Sequence, residues 1–182
     1  LEMIDQRILP SEFSYISYSS AKSVADGIRS MVVRGAPAIG CAAAYGVALE
    51  AIKTQSLNKL DFLNGMSDAC KILLESRPTA INLFWAVNRM QSIIKDSHNL
   101  APRELAIILL EEAHNIKAED IKINRMMGSF GAELLTDGAN VLTHCNAGAL
   151  ATAGHGTALG VIRSAVESGK NISVIADETR PF

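Results

Sequence analysis

The residue best suited to chemistry is Cys145, in the segment Thr143-His144-Cys145-Asn146-Ala147-Gly148. The segment follows a short apolar run that is typical of a strand, and it leads through small residues into a helical pattern that starts at Thr157. The amide groups and dipole at a helix start favour a thiolate, which is the nucleophilic form of cysteine. The alternative is a buried, inert thiol, because free cysteine is among the most buried residue types.

Two histidines accompany this thiol in the sequence. His144 is adjacent to Cys145, but neighbours on a strand point to opposite faces, so it is a poor base for the thiol if the strand extends that far. His155 could reach over from the glycine-rich loop. The three side chains do not predict a zinc site, because adjacent ligands depart from the usual spacing.

Two arginines form a second group of candidates. Arg34 precedes an apolar, alanine-rich run that predicts a buried helix, and Pro37 suits the first position of that helix. The N–H groups of that first turn, with Arg34 beside them, predict an anion site. Arg77 lies in a bend before Pro78. Local physics alone favours an ordinary turn at Arg34 and a solvated loop charge at Arg77.

The elements that would position these residues divide the chain in two. Apolar residues recur at helical spacing between about residues 19 and 135, after an extended lead-in, and Ser19 or Ser20 can cap the first helix. The pattern then changes to strand, loop, helix and strand, which predicts a parallel pair with a right-handed crossover. We therefore predict an α/β protein, with a mainly helical domain over residues 1–137 and the beginning of a Rossmann-like parallel-sheet domain over residues 138–182.

Polar residues follow both predicted strands of the second part. Thr143 to Asn146 follow the first strand, and Asp177 to Arg180 follow the second. Ligands of open parallel sheets collect outside the carboxyl ends of the strands. We therefore expect the two polar clusters to lie at the same edge of the sheet.

The helical part carries further expectations about burial. Separate helices are predicted over residues 103–114 and from about 119 to 135. Four apolar residues are expected to form the inner face of the second of these helices: Ile123, Met127, Phe130 and Leu134. Phe84 and Trp85 are expected in the core rather than at a ligand.

Composition argues against several classes of protein. The 182 residues are 48% hydrophobic and 20% charged, and the net charge of −2 without a basic run gives nucleic-acid binding little support. The longest apolar stretch, Ala36 to Leu49, is shorter than the roughly 20 residues that span a bilayer, and the start at Leu1 does not read as a signal peptide. Three widely spaced cysteines show neither a disulfide framework nor a zinc pattern, which fits a cytoplasmic setting.

Five motifs in order identify a family resemblance. They are Arg34-Gly35-Ala36-Pro37-Ala38-Ile39-Gly40, Arg77-Pro78-Thr79-Ala80-Ile81-Asn82-Leu83, Asn124-Arg125-Met126-Met127-Gly128, Thr143-His144-Cys145-Asn146-Ala147-Gly148 and Asp177-Glu178-Thr179-Arg180-Pro181. Together they closely resemble the isomerase family related to translation initiation factor 2B, which contains methylthioribose-1-phosphate isomerase. The resemblance covers essentially the whole chain. It implies a helical N-terminal domain, a Rossmann-like C-terminal domain and, at full length, a homodimer.

The resemblance also implies roles for individual residues. Carried over to this sequence, it makes Cys145 the catalytic cysteine, and it makes Arg34, Gly35 and Ala36 substrate contacts. Arg77 becomes a second phosphate-binding arginine. The implied reaction converts 5-methylthioribose 1-phosphate, an aldose, into 5-methylthioribulose 1-phosphate, a ketose, in methionine salvage. No metal or organic cofactor is implied, and the partner is a small sugar phosphate rather than a nucleic acid or membrane.

Two related functions stay open. One is ribose-1,5-bisphosphate isomerase, and the other is a non-catalytic regulatory subunit, like those of initiation factor 2B, that binds a sugar phosphate or nucleotide. The chain is expected to be a fragment, because the family continues beyond Phe182 with a catalytic aspartate and further substrate contacts. Alone it is therefore expected to be inactive, and its short sheet to be unstable or prone to association.

Overall fold

The computed structural model describes residues 1–177. Its elements, in chain order, are β1 (Glu2–Ile4), β2 (Tyr15–Ser17), α1 (Ala21–Arg29), α2 (Ala36–Thr54), α3 (Lys59–Leu74), α4 (Ile81–Asp96), α5 (Pro102–Glu133), β3 (Asn140–Thr143), a short 3₁₀ turn (Ala149–Ala151), α6 (Ala158–Glu167) and β4 (Ser173–Ala176). This order confirms the mixed α/β class. Contacts divide the chain into two units, Leu1–Lys117 and Ala118–Phe182. The domain boundary between residues 137 and 138 stays a prediction.

Unit 1, Leu1–Lys117, is built around α2. This helix is alanine-rich and buried on most of its surface, as the sequence predicted, and it packs against α1, α3 and α4. The side chain of Ser20 accepts a hydrogen bond from the backbone N–H of Ser23 and caps α1. Before this cap, the lead-in forms an antiparallel hairpin of β1 and β2 rather than a single extended segment.

Unit 2, Ala118–Phe182, contains the strand–helix–strand unit that the sequence predicted. β3 and β4 pair in parallel, in the register Asn140 with Ser173 through Thr143 with Ala176. Among the described residues, β4 pairs with β3 alone, so one edge of this strand has no neighbour. The residues of the central cross-strand pair, Leu142 and Ile175, are 68% and 63% exposed, so one face of the pair is largely open.

The C-terminal half of α5 packs against α6 through glycines. A Cβ atom at Gly128 would lie 2.9 Å from the carbonyl oxygen of Gly160, and one at Gly131 would lie 2.6 Å from the side chain of Val161. The missing side chains therefore allow the two helices of unit 2 to approach closely.

Three expectations about the helices are wrong. The helices predicted over 103–114 and 119–135 are one helix, α5, because the sequence between them holds no glycine or proline to end it. The apolar residues predicted to form the inner face of its second part are exposed: Ile123, Met127, Phe130 and Leu134. The glycine face of α5 makes the contact with α6 instead. Trp85, which was expected in the core, is 48% exposed, and the guanidinium of Arg89 stacks 5.4 Å from the centre of its ring.

No helix within residues 1–177 is long and apolar enough to cross a membrane. This holds for the 32 residues of α5 and for the apolar α2 alike.

Candidate functional site

The start of α2 in unit 1 has the features of an anion site. Gly35 is the N-cap, and its φ of 100° is one that residues with a side chain rarely adopt. Pro37 is the second helical residue rather than the first, and it has no N–H. Ala36 and Ala38 therefore supply the first-turn amides that no helical carbonyl can accept. No acidic side chain lies in this turn, so the positive end of the helix dipole is not neutralised there.

Arg34 and Arg77 each precede a helix start in unit 1. Arg34 is half-buried immediately before the N-cap of α2, and its Nε atom is shielded from solvent. Arg77 is also half-buried, and its carbonyl accepts a hydrogen bond from Ala80, the N-cap of α4. The first turn of α4, like that of α2, has neither a side-chain cap nor an acidic residue.

A close contact brings these two helix starts together. A Cβ atom at Gly40 would lie 2.9 Å from the carbonyl oxygen of Asn82, the second residue of α4. Gly40 is the fifth residue of α2, so the contact lies about one turn into that helix. Two motifs that are far apart in sequence therefore meet in unit 1, each with an arginine and an uncapped helix start.

The thiol in unit 2 lies two residues beyond the end of β3. Cys145 is exposed, and its φ of 73° is in the left-handed region, which is uncommon for a residue with a side chain. The strand ends at Thr143, so the alternation of side chains along a strand does not govern His144 and Cys145. The expectation of burial for this cysteine is therefore wrong, whereas its reactivity stays a prediction.

Hydrogen bonds from backbone N–H groups hold the loop that follows the thiol. The carbonyl of Ala147 accepts hydrogen bonds from the N–H groups of Thr157 and Leu159, at 2.9 and 3.3 Å. The hydroxyl of Thr152 accepts hydrogen bonds from the N–H groups of Gly154 and Gly156, at 3.1 and 3.0 Å. Amides at the start of α6 thus hold the loop in place. The sequence predicted that these amides would favour a thiolate at Cys145, but not all of them are available to it.

The other two cysteines contrast with Cys145. Cys41 and Cys70 are buried in unit 1. Burial raises the pKa of the Cys70 thiol to about 11, although a hydrogen bond with Gln91 opposes the shift. Cys70 is therefore almost entirely protonated at neutral pH, which makes it a poor nucleophile.

The histidines take different roles from those that the sequence suggested. His155 is buried, and its Nε2 lies 3.1 Å from the hydroxyl of Ser164 on α6, so it does not reach over to the thiol. His144 follows β3 directly, and its Nδ1 lies 2.9 Å from a carboxylate oxygen of Asp177, which follows β4. This bond confirms that His144 and Asp177, the first residues after the two strands, share one edge of the sheet.

Sequence reasoning missed the pairing of His144 with Asp177, although it placed both residues at the correct strand ends. The signal was their common position, since each is the first residue after one of two parallel strands. Thr143 adds a buried hydroxyl at the same edge, and this hydroxyl has no hydrogen-bond partner among residues 1–177. The rest of the last motif, residues 178–181, lies outside the described residues.

The predicted site residues thus fall into two groups. Unit 1 contains Arg34, Gly35, Ala36 and Arg77, in two motifs that meet where Gly40 of α2 contacts Asn82 of α4. Unit 2 presents Cys145 beside the His144–Asp177 pair. No cluster of three or more metal-ligating side chains occurs in the part of the chain that the structure describes.

The fold and motifs define the class of protein. The chain belongs to the Initiation factor 2 subunit family, a model of which matches residues 32–182. Among curated relatives, the chain is similar to methylthioribose-1-phosphate isomerase of Albidiferax ferrireducens, with 62% identity over the whole chain and 51% of the relative. The isomerase of Syntrophotalea carbinolica is 55% identical over the whole chain and 53% of that relative. The chain therefore spans about half the length of the curated relatives it matches.

Two solved structures share this fold. The crystal structure of 5-methylthioribose 1-phosphate isomerase from Pyrococcus horikoshii OT3 matches with a TM-score of 0.89 and 38% identity, over 96% of this chain and 57% of that chain. The structure of translation initiation factor eIF-2B, subunit delta, from A. fulgidus matches with a TM-score of 0.88 and 45% identity, over 100% of this chain and 53% of that chain. These similarities confirm the resemblance drawn from the five motifs.

Proposed function

We propose that this chain provides the N-terminal half of a methylthioribose-1-phosphate isomerase. The observation that carries the proposal is the exposed thiol of Cys145, which a left-handed backbone presents just beyond a parallel strand. Ligands of such sheets bind at this edge, and a protein that only binds its ligand has no need of a thiol there. The names of the relatives supply the substrate, 5-methylthioribose 1-phosphate.

The groups of unit 1 bind the phosphate of the substrate in this proposal. The guanidinium groups of Arg34 and Arg77 provide charge-assisted hydrogen bonds. The backbone N–H groups of Gly35 and Ala36 lie at the positive end of the α2 dipole, which favours a phosphate. Together they anchor the sugar so that its reacting carbons stay in place.

The reaction then requires ring opening and a hydrogen transfer. The phosphate on the anomeric carbon blocks spontaneous opening, so an acid must protonate the ring oxygen as it leaves. A hydrogen must next move from carbon 2 to carbon 1, either as a proton through an enediol or as a hydride. Cys145 acts as the base in the first route and as a transition-state stabiliser in the second. Neither route requires a cofactor.

Further properties of the whole protein are proposed on the same basis. The α/β part begins a Rossmann-like domain, and the full-length protein is a cytoplasmic homodimer. The net charge of these 182 residues and their free cysteines are compatible with a cytoplasmic enzyme that binds a small sugar phosphate rather than nucleic acid.

An isomerase assay tests the proposal. The full-length protein, meaning a chain of its relatives' length that contains these 182 residues, is incubated with 5-methylthioribose 1-phosphate, and the ketose product is followed by NMR. We expect catalytic turnover of this substrate and much slower turnover of ribose 1,5-bisphosphate. The reverse preference would assign the protein to the bisphosphate isomerases.

The similarity to an eIF-2B subunit favours a second candidate, a regulatory protein that binds a sugar phosphate or nucleotide. The same assay separates the two functions. Binding of the sugar phosphate without formation of ketose, measured by calorimetry on the same preparation, would support the regulatory function and contradict the isomerase.

Replacing Arg34 with alanine tests the phosphate site. We expect KM of the full-length protein to rise by about 10- to 100-fold with a small change in kcat, because one charge-assisted hydrogen bond contributes about 1.5–3 kcal/mol. Steady-state kinetics measure both constants. Arg29→Ala is the control, because Arg29 forms an exposed ion pair with Asp26 on α1. An unchanged KM in Arg34→Ala would instead support the alternative that Arg34 lies in an ordinary turn and does not bind phosphate.

A further inference from the structure

The proposed isomerisation leaves one proton without a recipient. Carbon 2 carries a hydroxyl in the aldose and a carbonyl in the ketose, so this hydroxyl loses its proton whether a proton or a hydride leaves carbon 2. The acid at the ring oxygen donates a proton and cannot accept this one in the same step. If Cys145 removes the proton from carbon 2, it is also occupied. A base held directly beside the carbon 2 hydroxyl would accept this proton during the hydrogen transfer.

The His144–Asp177 pair has the chemistry of such a base. A carboxylate can only accept a hydrogen bond, so at 2.9 Å the Nδ1 of His144 carries the hydrogen and donates it to Asp177. In neutral imidazole, a protonated Nδ1 leaves Nε2 as the acceptor. The carboxylate thus fixes both the orientation and the tautomer of the ring.

The position of the ring also suits this role. The side chain of His144 is 74% exposed and that of Asp177 is 50% exposed, so the pair is open to a ligand. Cys145 is the next residue and is likewise exposed. Within residues 1–177, Asp177 is the charged or titratable residue whose side chain contacts the His144 ring. His155, by contrast, is buried against α6 through its hydrogen bond to Ser164.

We propose that His144 is the base that takes the proton from the carbon 2 hydroxyl, and that Asp177 is the residue that positions it. This inference rests on the proposed function. In the hydride route, the O–H electron pair forms the carbonyl as the C–H pair moves to carbon 1, and the proton goes to Nε2 of His144. In the enediol route, Cys145 first removes the proton from carbon 2; the same O–H pair then forms the carbonyl while the carbon–carbon double bond takes that proton back from the Cys145 thiol at carbon 1. Nε2 then releases its proton to solvent.

Chemical rescue tests the role of His144. We expect His144→Ala in the full-length protein to lower kcat by about 10²–10⁴-fold, the usual contribution of a general base. Added imidazole should restore activity in proportion to its concentration, because the missing ring leaves an exposed space beside Cys145. Imidazole should not activate the wild-type protein. A purely structural role for His144 would not produce this rescue.

A double mutant tests the role of Asp177. Asp177→Asn should lower kcat with little change in KM, because an amide no longer enforces one tautomer of the ring. The same substitution should have no further effect in the His144→Ala protein, since a positioning residue acts through the ring that it holds. His98→Ala is the matched control, because His98 is an exposed histidine whose Nδ1 bonds only to a backbone carbonyl, that of Lys95.

The possible outcomes are distinct. Wild-type kcat in His144→Ala, or loss of activity without rescue at any imidazole concentration, would overturn the proposed base. Equal effects of Asp177→Asn in both backgrounds would overturn the positioning role. Absence of turnover by the wild-type protein would instead refute the isomerase function itself. Circular dichroism on each variant confirms that the fold is retained.

Discussion

Replacement of the thiol of Cys145 with a hydroxyl should lower kcat of the full-length protein by about 10²–10⁴-fold, which is the usual contribution of a catalytic proton-transfer group. A serine hydroxyl ionises far less readily than a thiol, so Cys145→Ser loses the thiolate that acts as the base in the enediol route and the sulfur that stabilises the transition state in the hydride route. The fold should be retained, because the side chain is exposed and serine is similar in size. Steady-state kinetics with 5-methylthioribose 1-phosphate measure the loss.

The buried thiol of unit 1 provides the control for this substitution. Cys70→Ser should retain turnover, because Cys70 lies in the core of the helical unit. Alkylation of the wild-type protein should agree: near pH 8 the exposed Cys145 reacts, whereas the burial that raises the pKa of Cys70 to about 11 keeps that thiol protonated and protected. Alkylation of the Cys145 thiol alone should abolish activity. Near-wild-type turnover in Cys145→Ser would remove this residue from catalysis.

Gly40→Val should produce the largest loss of stability among the changes considered for unit 1. Its Cβ would lie 2.9 Å from the carbonyl oxygen of Asn82, a backbone atom that cannot rotate away, so α2 and α4 must separate. Overpacking of this kind costs about 1–3 kcal/mol. Urea unfolding of the chain, followed by the fluorescence of Trp85, should show a lower midpoint. The full-length variant should also bind the phosphate more weakly, because the two helix starts move apart.

Gly65→Val is the matched control for this substitution. Gly65 also lies within a helix, but no atom stands within 4 Å of a Cβ built there. Because glycine and valine have similar, low helix propensities, the free energy of unfolding should change by less than about 0.5 kcal/mol. Equal effects of the two substitutions would show that the contact between α2 and α4 does not constrain the packing of unit 1.

Much of the fold could be predicted from local pattern. The continuous apolar character of α2 predicted a buried helix, and Ser20 was one of two serines predicted to cap α1. The strand–helix–strand pattern predicted the parallel pairing of β3 and β4. Each of these features depends on residues that are close in sequence, so periodicity and capping chemistry suffice to predict them.

The features that escaped prediction depend on residues far apart in sequence. The spacing of Ile123 and Phe130 correctly predicted a helix, but periodicity does not reveal whether another element covers that face. The left-handed conformation of Cys145 arises from the way its loop is held, because cysteine has no intrinsic preference for positive φ. The pairing of His144 with Asp177 spans 33 positions and depends on the register of two strands.

The open edge of β4 has a practical consequence for handling the chain. Its backbone groups can hydrogen-bond to the same edge of another copy, and the exposed apolar pair beside them, Leu142 and Ile175, adds to the attraction. In concentrated preparations, copies of the chain should therefore associate through this edge into intermolecular sheets. A lysine in place of Ile175 would introduce the kind of charge with which natural proteins discourage such growth.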